Sequence, residues 1–295
     1  MSERDSLTTR SIPFMTLSNG TITSQTAPPA RHDTNLNASQ RAAARFTIDG
    51  NVVVTGGAGT LGLACARAVL EHGASGVCIW DLESTLRTSM ASVNTLASAC
   101  PDRRVFGIAV DVTDRSSIQE AVDTAVKHFG SISHLYCFAG VVGVAHAASM
   151  LEADWRRTID INTTGSFLCA QAVANHMFAE PGTNRSITLT ASISGHSVNF
   201  PQPQVAYNVS KAAVIAMKSS LAAEWAHAGI RVNSISPGYM DTILNEGAGL
   251  EEARQIWNQR NPMGRMGAVG ELDGVCVLLA TQSSEKTASI EDSIH

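Results

Sequence analysis

Residues 52–64 read VVVTGGAGTLGLA: an apolar run, then small residues, then a second apolar segment. Glycine accepts positive φ and lets other segments approach its backbone, so the cluster fits a plain strand-to-helix turn. It equally fits a loop that holds a phosphate at a helix N-terminus. The sequence around it has to decide between these two interpretations.

The composition of the 295-residue chain is typical of a globular protein, with 44% hydrophobic and 16% charged residues. A net charge of −5 indicates neither a nucleic-acid partner nor a polybasic membrane anchor. No apolar run approaches the ~18 residues of a membrane span. The six cysteines form no C-x-x-C pair and the nine histidines lack ligand spacing, which predicts buried thiols, no metal site and a cytoplasmic location.

The two ends of the chain differ from its middle. Residues 1–45 are rich in Ser, Thr, Asn and Ala without helical or strand periodicity, so we predict a poorly ordered tail. A mitochondrial transit peptide is the alternative, against which Glu3, Asp5 and Asp33 argue. Residues 281–295 form an atypical polar C-terminal tail, which leaves 46–280 as the single domain.

Between the tails, apolar runs alternate with helical periods. Strands are predicted at 51–55, 76–80, 104–110, 134–138, 186–191 and 231–236, and helices near Thr60, Leu82, Ser116, Glu152 and Tyr207. Near-continuous apolarity is typical of parallel strands covered on both faces. The alternation predicts an α/β fold with a doubly wound parallel sheet of the Rossmann type, which binds ligands at the carboxyl ends of its strands.

This context favours the phosphate interpretation of the glycine cluster. Residues 57–62, GAGTLG, fit G-x-G-x-x-G between a strand and a helix, and Asp81 follows at the end of the second strand. The glycines allow a tight turn and close approach of a pyrophosphate, and the carboxylate suits ribose hydroxyls. The sequence therefore predicts dinucleotide binding.

A second cluster indicates acid/base chemistry. Tyr207 and Lys211 are four residues apart at the start of a helix and so share one face, and Ser192 ends the preceding strand. A phenol with a pKa of ~10 is a poor acid/base near neutrality, but a neighbouring ammonium lowers that pKa. For a lone Y-x-x-x-K, a surface tyrosine and a solvated lysine would be the better interpretation; beside a dinucleotide site we predict catalysis.

With these motifs in order, the segment from about Phe46 to Ala280 resembles the short-chain dehydrogenase/reductase family. The family's T-G-x-x-x-G-x-G is matched at residues 55–62, its D-V at 111–112 and its asparagine in DINTTG at 160–165. S-x-x-G is matched at 192–195, Y-x-x-x-K at 207–211 and P-G-x-x-x-T at 237–242. The resemblance implies hydride transfer between a nicotinamide cofactor and a secondary alcohol or ketone.

The resemblance also implies a role for each matched residue. Tyr207 would be the proton donor or acceptor, Ser192 would orient the carbonyl, Lys211 would hold the ribose and Asn162 would anchor a proton-relaying water. The cofactor-binding set comprises Gly56, Gly59, Thr60, Leu61, Gly62, Asp81, Asp111, Val112, Ala139, Gly140, Tyr207, Lys211, Pro237, Gly238 and Thr242.

The chain departs from the family pattern in two respects that predict structural differences. Thr60 replaces a motif glycine, and since a β-branched residue tolerates positive φ badly, we expect Gly59 to adopt the left-handed conformation. The C-terminal residues contain no strand signal, so we expect six strands with the family's seventh missing.

Cofactor, substrate and assembly complete the expectations. Asp81 would repel a 2′-phosphate, so NAD(H) is preferred, with NADP(H) as the alternative should Arg87 swing towards it.

The sequences of several segments resemble those of arabinitol and mannitol dehydrogenases, and this resemblance implies a polyol or ketose substrate. The alternatives are a carbonyl reductase of a secondary-metabolite pathway and a nucleotide-binding protein inactivated by loss of its last strand. The family also implies a homodimer or homotetramer through helices 152–178 and 207–228.

Overall fold

The computed structural model describes residues 11–21, 24–27, 35–180, 182, 184–281 and 291–293. Seven parallel strands form one sheet in the spatial order β3-β2-β1-β4-β5-β6-β7. The strands are β1 Asn51–Thr55, β2 Gly76–Asp81, β3 Arg104–Ala109, β4 His134–Cys137, β5 Arg185–Thr190, β6 Ile230–Ser236 and β7 Glu291–Ser293. The predicted doubly wound architecture is confirmed.

Helices connect the strands on both faces of the sheet. They are α1 Ala38–Arg45, α2 Thr60–Glu71, α3 Glu83–Ala99, α4 Arg115–Phe129, α5 Glu152–Ile159, α6 Ser166–Ala179, α7 Val205–Trp225, α8 Glu251–Arg260 and α9 Asp273–Ala280. One π-helical turn, Asp160–Gly165, joins α5 to α6, and short 3₁₀ turns include Ile193–Gly195. No helix in the described part of the chain has the length and apolarity to cross a bilayer.

The central strand β1 shows why a strand covered on both faces is rich in apolar residues. Val53 belongs to the core between the sheet and α4, α6 and α7, while Val52 and Val54 belong to the core beneath α2, α3 and α9. Successive strand residues point to opposite faces, so a strand covered on both sides needs apolar residues at every position. Val53 pairs with Cys78 of β2 and with Leu135 of β4, which places three buried strands side by side.

The C-terminal edge of the sheet corrects one expectation. Residues 291–293 pair with β6 in parallel, from Ser234↔Glu291 to Ser236↔Ser293, so the seventh strand is shortened to three residues and not missing. Its sequence, EDS, shows no alternation of apolar and polar residues, so the sequence contains no sign of a strand. The strand still forms because strands pair through their backbone N–H and C=O groups, whatever their side chains. The rest of the predicted C-terminal tail, 282–290 and 294–295, lies outside the described residues.

The N-terminal segment contains one element that the sequence analysis did not predict. Helix α1 begins after Asn37, whose side chain accepts the Gln40 N–H while the Gln40 side chain accepts the Asn37 N–H. This reciprocal capping, rather than a buried face, supports a helix without buried residues. Residues 1–10, 22–23 and 28–34 of the predicted tail lie outside the described residues.

Candidate active site

The carboxyl ends of the six long strands lie along one edge of the sheet, and each of these ends carries a predicted site segment. Parallel pairing forces this arrangement, because all strands then finish on the same side. The glycine loop follows β1, Asp81 ends β2, and Asp111 and Val112 follow β3. Ala139 and Gly140 follow β4, Ser192 follows β5, and Pro237 follows β6.

The glycine loop packs too tightly for side chains at Gly56, Gly57 and Gly62. Gly56 has φ +63°, and a Cβ there would lie 2.5 Å from the backbone nitrogen of Ala139. A Cβ on Gly62 would lie 2.5 Å from the Gly56 carbonyl oxygen, so this glycine brings α2 against the loop. The loop is thereby held between the end of β4 and the first turn of α2.

The predicted left-handed conformation at Gly59 is wrong. Gly59 has φ −79° and ψ 170° and is the N-cap of α2, while Thr60 is the first helical residue. Gly56 carries the positive φ instead, so a β-branched residue at position 60 meets no backbone strain.

Asp81 lies between the end of β2 and the glycine loop. One carboxylate oxygen accepts the Ala58 N–H at 3.1 Å, and the other accepts the Leu82 N–H at 2.9 Å. Arg87, one helical turn into α3, pairs with Glu83 at 3.3 Å, and both side chains are exposed. In the structure the arginine is therefore engaged with Glu83 and not with Asp81.

Two neighbouring strand ends complete the predicted nucleotide side of the edge. The Asp111 carboxylate accepts both the N–H and the hydroxyl of Thr113, at 2.9 and 2.7 Å, which shapes the turn after β3. Ala139 donates its N–H to the Thr55 hydroxyl at 3.3 Å. A Cβ on Gly140 would lie 3.2 Å from the Asn162 side-chain oxygen, so position 140 borders the catalytic candidates.

Asn162 is fully buried in the π-helical turn between α5 and α6. Its amide oxygen accepts the Val141 N–H at 2.8 Å, and its NH₂ group donates to the Val141 carbonyl and to the Ser210 hydroxyl at 2.9 and 3.0 Å. The amide thus ties the loop after β4 to α7. A π turn leaves the regular helical hydrogen-bond pattern, and such turns are frequent at functional sites.

Ser192, Tyr207 and Lys211 meet where the turn after β5 packs on α7. A Cβ on Gly195 would lie 2.8 Å from the carbonyl carbon of Lys211, so this glycine lets the Ser192 turn rest on the helix backbone. Ser192 donates to the Ser194 hydroxyl at 3.0 Å and lies close enough to Tyr207 to influence the phenol. The Lys211 ammonium lies 5.5 Å from the Tyr207 ring centroid and donates to the Thr190 carbonyl at 2.7 Å.

Burial controls the electrostatics of this group. Desolvation raises the pKa of Tyr207, and the Ser192 side chain offsets part of that rise. Desolvation also lowers the pKa of Lys211 to about 8. The predicted lowering of the Tyr207 pKa by Lys211 is therefore not found in the protein alone, because lost hydration is the largest influence on this pKa and Lys211 is not among its causes.

The segment after β6 carries the last predicted residues. The Pro237 carbonyl accepts the Ile193 N–H at 3.2 Å, which links it to the Ser192 turn, and Gly238 follows directly. Thr242 is buried. Arg254 of α8 binds the Asp241 carboxylate at 2.8 Å and the Asn245 carbonyl at 2.6 Å, so α8 holds this segment in place.

The sequence analysis missed a polar group around Tyr239. Asn199, Gln202 and Trp257 surround this tyrosine. Tyr239, Asn199 and Trp257 border a cleft of about 240 Å³ that also touches Ile193 and Gly238. Tyr239 directly follows the P-G motif, and that position was the available signal. Trp257 and Gln202 are distant in sequence and follow no motif.

The residues present fit a dinucleotide. Gly56 and Gly62 leave no room for a Cβ, and the first N–H groups of α2 have no side-chain cap. N–H groups at the start of a helix lack intrahelical partners and bind phosphate well. The carboxyl edge of the sheet thus carries a loop that can bind a pyrophosphate, the Asp81 carboxylate and the acid/base group of Ser192, Tyr207 and Lys211.

Comparisons with known proteins agree with this geometry. Residues 56–289 match the model of a family described as enoyl-(acyl carrier protein) reductase. A crystal structure of a short-chain type dehydrogenase/reductase from Mycobacterium marinum is 33% identical, with a TM-score of 0.78, and the match covers 85% of this chain and 96% of that one. The chain belongs to the short-chain dehydrogenase/reductase family. This short-chain dehydrogenase/reductase is an oxidoreductase that interconverts a secondary alcohol and a ketone with a nicotinamide cofactor.

Two further relatives of this short-chain dehydrogenase/reductase have names that include a polyol. An NADP-dependent mannitol dehydrogenase from Hypocrea jecorina is 35% identical over 254 residues, which cover 83% of this chain and 91% of that protein. The crystal structure of an NAD⁺-bound xylitol dehydrogenase is 28% identical with a TM-score of 0.72, and the match covers 85% of this chain and 98% of that one.

Proposed function

We propose that this protein interconverts a polyol and the corresponding ketose, with Tyr207 as the general acid/base. The observation that carries the proposal is the placement of Ser192, Tyr207 and Lys211 at the carboxyl edge beside the dinucleotide loop. The polyol names of the relatives support the substrate class. When bound, the nicotinamide cofactor accepts or supplies the hydride.

The protein's own residues supply the proton chemistry. Ser192 is buried and lies beside the phenol, so its hydroxyl can bind the reacting oxygen and orient it towards Tyr207. Tyr207 then takes a proton from an alcohol or gives one to a forming alkoxide. In its protonated form, Lys211 stabilises the phenolate that remains after proton donation.

The remaining site residues would hold the cofactor and keep the group rigid. The loop from Gly56 to Gly62 would bind the pyrophosphate, and Pro237, Gly238 and Thr242 would face the nicotinamide. Asn162 ties the loop after β4 to α7, which carries Tyr207 and Lys211. Asn162 would therefore position these side chains and anchor the relaying water.

Asp81 makes NAD(H) the proposed preferred cofactor. Its carboxylate lies at the end of β2 beside the glycine loop, where a 2′-phosphate would meet a negative charge. The relatives differ in this respect, since one is named NADP-dependent and another is NAD⁺-bound. The relatives therefore do not predict whether this chain prefers NAD(H) or NADP(H), and the proposed preference rests on Asp81.

Assembly through α5–α6 and α7 completes the proposal. Trp155 of α5 and Val205 and Val209 of α7 expose 36%, 36% and 42% of their surface. Val205 and Val209 are four residues apart and share one face of α7. A second copy that packs on this face would bury them and stiffen the helix that carries Tyr207.

The two alternatives named above are not favoured. The interpretation as an inactivated nucleotide-binding protein rested on a lost C-terminal strand, and a short strand occupies that edge. The interpretation as a reductase of a secondary-metabolite pathway has no support in the names of the relatives reported above, which include mannitol and xylitol.

The proposal is tested by turnover of D-mannitol, D-arabinitol and xylitol with NAD⁺ and NADP⁺, followed by cofactor absorbance. We expect turnover of at least one polyol. Tyr207→Phe removes the proton but keeps the ring, so turnover should fall by roughly 10²–10⁴ while cofactor binding persists. Absence of turnover with every polyol, or near-normal turnover by the Phe variant, contradicts the proposal.

A further inference from the structure

The cleft beside the catalytic group is bordered by Tyr239, whose ring and hydroxyl are held by neighbouring side chains. The cleft begins at Ile193 and Gly238, which directly follow Ser192 and Pro237, so it opens where the reacting carbon would lie. The Tyr239 ring stacks on Trp257 at 4.3 Å between centroids, with 10° between their planes. Tyr239 is therefore held in one orientation at the border of the cleft.

The neighbours of Tyr239 determine which way its hydrogen bonds run. The Trp257 indole N–H can only donate, and it lies 3.1 Å from the Gln202 side-chain oxygen. This contact fixes the Gln202 amide, so its NH₂ group faces Tyr239 and donates to the phenol oxygen at 2.9 Å. The Asn199 NH₂ group donates to the same oxygen at 2.8 Å.

A phenol oxygen that accepts two hydrogen bonds still has its own hydrogen to donate. We propose that Tyr239 is a specificity residue that donates its hydroxyl hydrogen to a substrate hydroxyl on the carbon next to the reacting carbon. The favoured substrates are then vicinal diols and the matching α-hydroxy ketones, the arrangement repeated along every polyol and ketose. This inference rests on the proposed function and narrows its substrate class.

The position of Tyr239 relative to Tyr207 supports this assignment. A negative charge on Tyr239 would raise the pKa of Tyr207, so the two phenols are within electrostatic reach of each other. Tyr207 acts on the reacting oxygen, and Tyr239 borders the cleft that begins beside the Ser192 turn, so a donor on Tyr239 faces the rest of a bound substrate. Gln202 and Trp257 act through Tyr239 and are positioning residues.

The first experiment compares butane-2,3-diol with butan-2-ol, which differ by the neighbouring hydroxyl. Tyr239→Phe keeps the stacked ring and should lower kcat/KM for the diol about tenfold, as for one lost hydrogen bond, with butan-2-ol unchanged within about twofold. Ser197→Ala removes a hydroxyl from the same cleft and should change neither value. Equal losses for both alcohols, or no loss for the diol, would overturn the assignment.

A second series tests whether the neighbours act through Tyr239. Gln202→Met should reduce the preference for the diol, measured as the ratio of kcat/KM for butane-2,3-diol to that for butan-2-ol. The double variant Gln202→Met with Tyr239→Phe should have the same ratio as Tyr239→Phe alone, because both changes remove the same hydrogen bond to the substrate. Additive losses would overturn the role of Gln202. Trp257→Phe keeps the stack without the N–H and should act like Gln202→Met.

Binding separates this inference from the proposed function. Calorimetric titration of D-mannitol into the protein saturated with reduced cofactor involves no turnover. The wild type should bind D-mannitol about tenfold more tightly than Tyr239→Phe. If the wild type and Tyr239→Phe bind D-mannitol with equal affinity, the inference is overturned, whether or not the protein turns over polyols. If the affinities differ as expected but no polyol is turned over, only the proposed function is contradicted.

Discussion

At the scale of single residues, burial has opposite effects on two neighbouring groups. It raises the pKa of the Tyr207 phenol and lowers that of the Lys211 ammonium to about 8, since in each case the neutral form is easier to desolvate. The site without cofactor therefore favours a neutral phenol beside a lysine that loses its charge near pH 8. Interactions that restore the lysine charge would favour the phenolate.

Cofactor choice is also decided at the residue scale. Asp81→Ser removes the carboxylate that would repel a 2′-phosphate, so the ratio of NADP⁺ to NAD⁺ efficiency should rise at least tenfold, or ~1.4 kcal/mol. Steady-state kinetics with both cofactors measure this ratio. Glu120→Ser, on the exposed face of α4, serves as the control for lost charge. A wild type that already prefers NADPH would contradict the role of Asp81.

At the scale of elements, His134 ties β4 into the sheet. Its ring nitrogens lie 2.8 Å from the Ser186 hydroxyl on β5 and 2.9 Å from the Asp49 carbonyl before β1. The side chain is fully buried, and desolvation lowers its pKa to about 4. The folded protein therefore holds this histidine neutral, whereas the unfolded chain protonates it near its ordinary pKa of 6.5.

This difference predicts acid destabilisation with a defined pH window. Between pH 6.5 and 4 the unfolded state binds the extra proton, so the free energy of unfolding should fall as pH falls, by at most about 1.4 kcal/mol per pH unit. His134→Gln should flatten this slope in urea unfolding. The exposed His128→Gln is the control, and identical slopes for wild type and His134→Gln would refute the argument.

At the scale of the whole molecule, the proposed pairing face can be tested by charge. Val209→Asp places a carboxylate on the exposed apolar face of α7, so burying that face in a dimer would cost the desolvation of a charge. We expect light scattering to show a smaller species than for the wild type. Ser92→Asp adds the same charge on the exposed side of α3 and should leave the mass unchanged. A Val209→Asp protein of wild-type mass would exclude this face.

The sequence by itself determined the order of elements and the identity of the motif residues. The six long strands lie within one residue of their predicted bounds at every end, because central strands such as β1 are buried on both faces and read as apolar runs in the sequence. Parallel order then places the residues after each strand on one edge. Ser192 could be chosen for this reason, Tyr207 and Lys211 from their spacing on one helix face, and Asn162 from the family resemblance; their catalytic roles stay predictions.

Only the tertiary structure decided features that depend on contacts between distant segments. Positive φ falls on Gly56, where the end of β4 leaves no room for a Cβ, and the pKa of Tyr207 rises because packing removes its water. The Trp257–Gln202–Tyr239 chain joins residues with no common motif, and the three-residue β7 pairs through its backbone. Sequence patterns report which side chains are apolar, whereas these features arise from backbone contacts, desolvation and long-range hydrogen bonds, which exist only once the chain has folded.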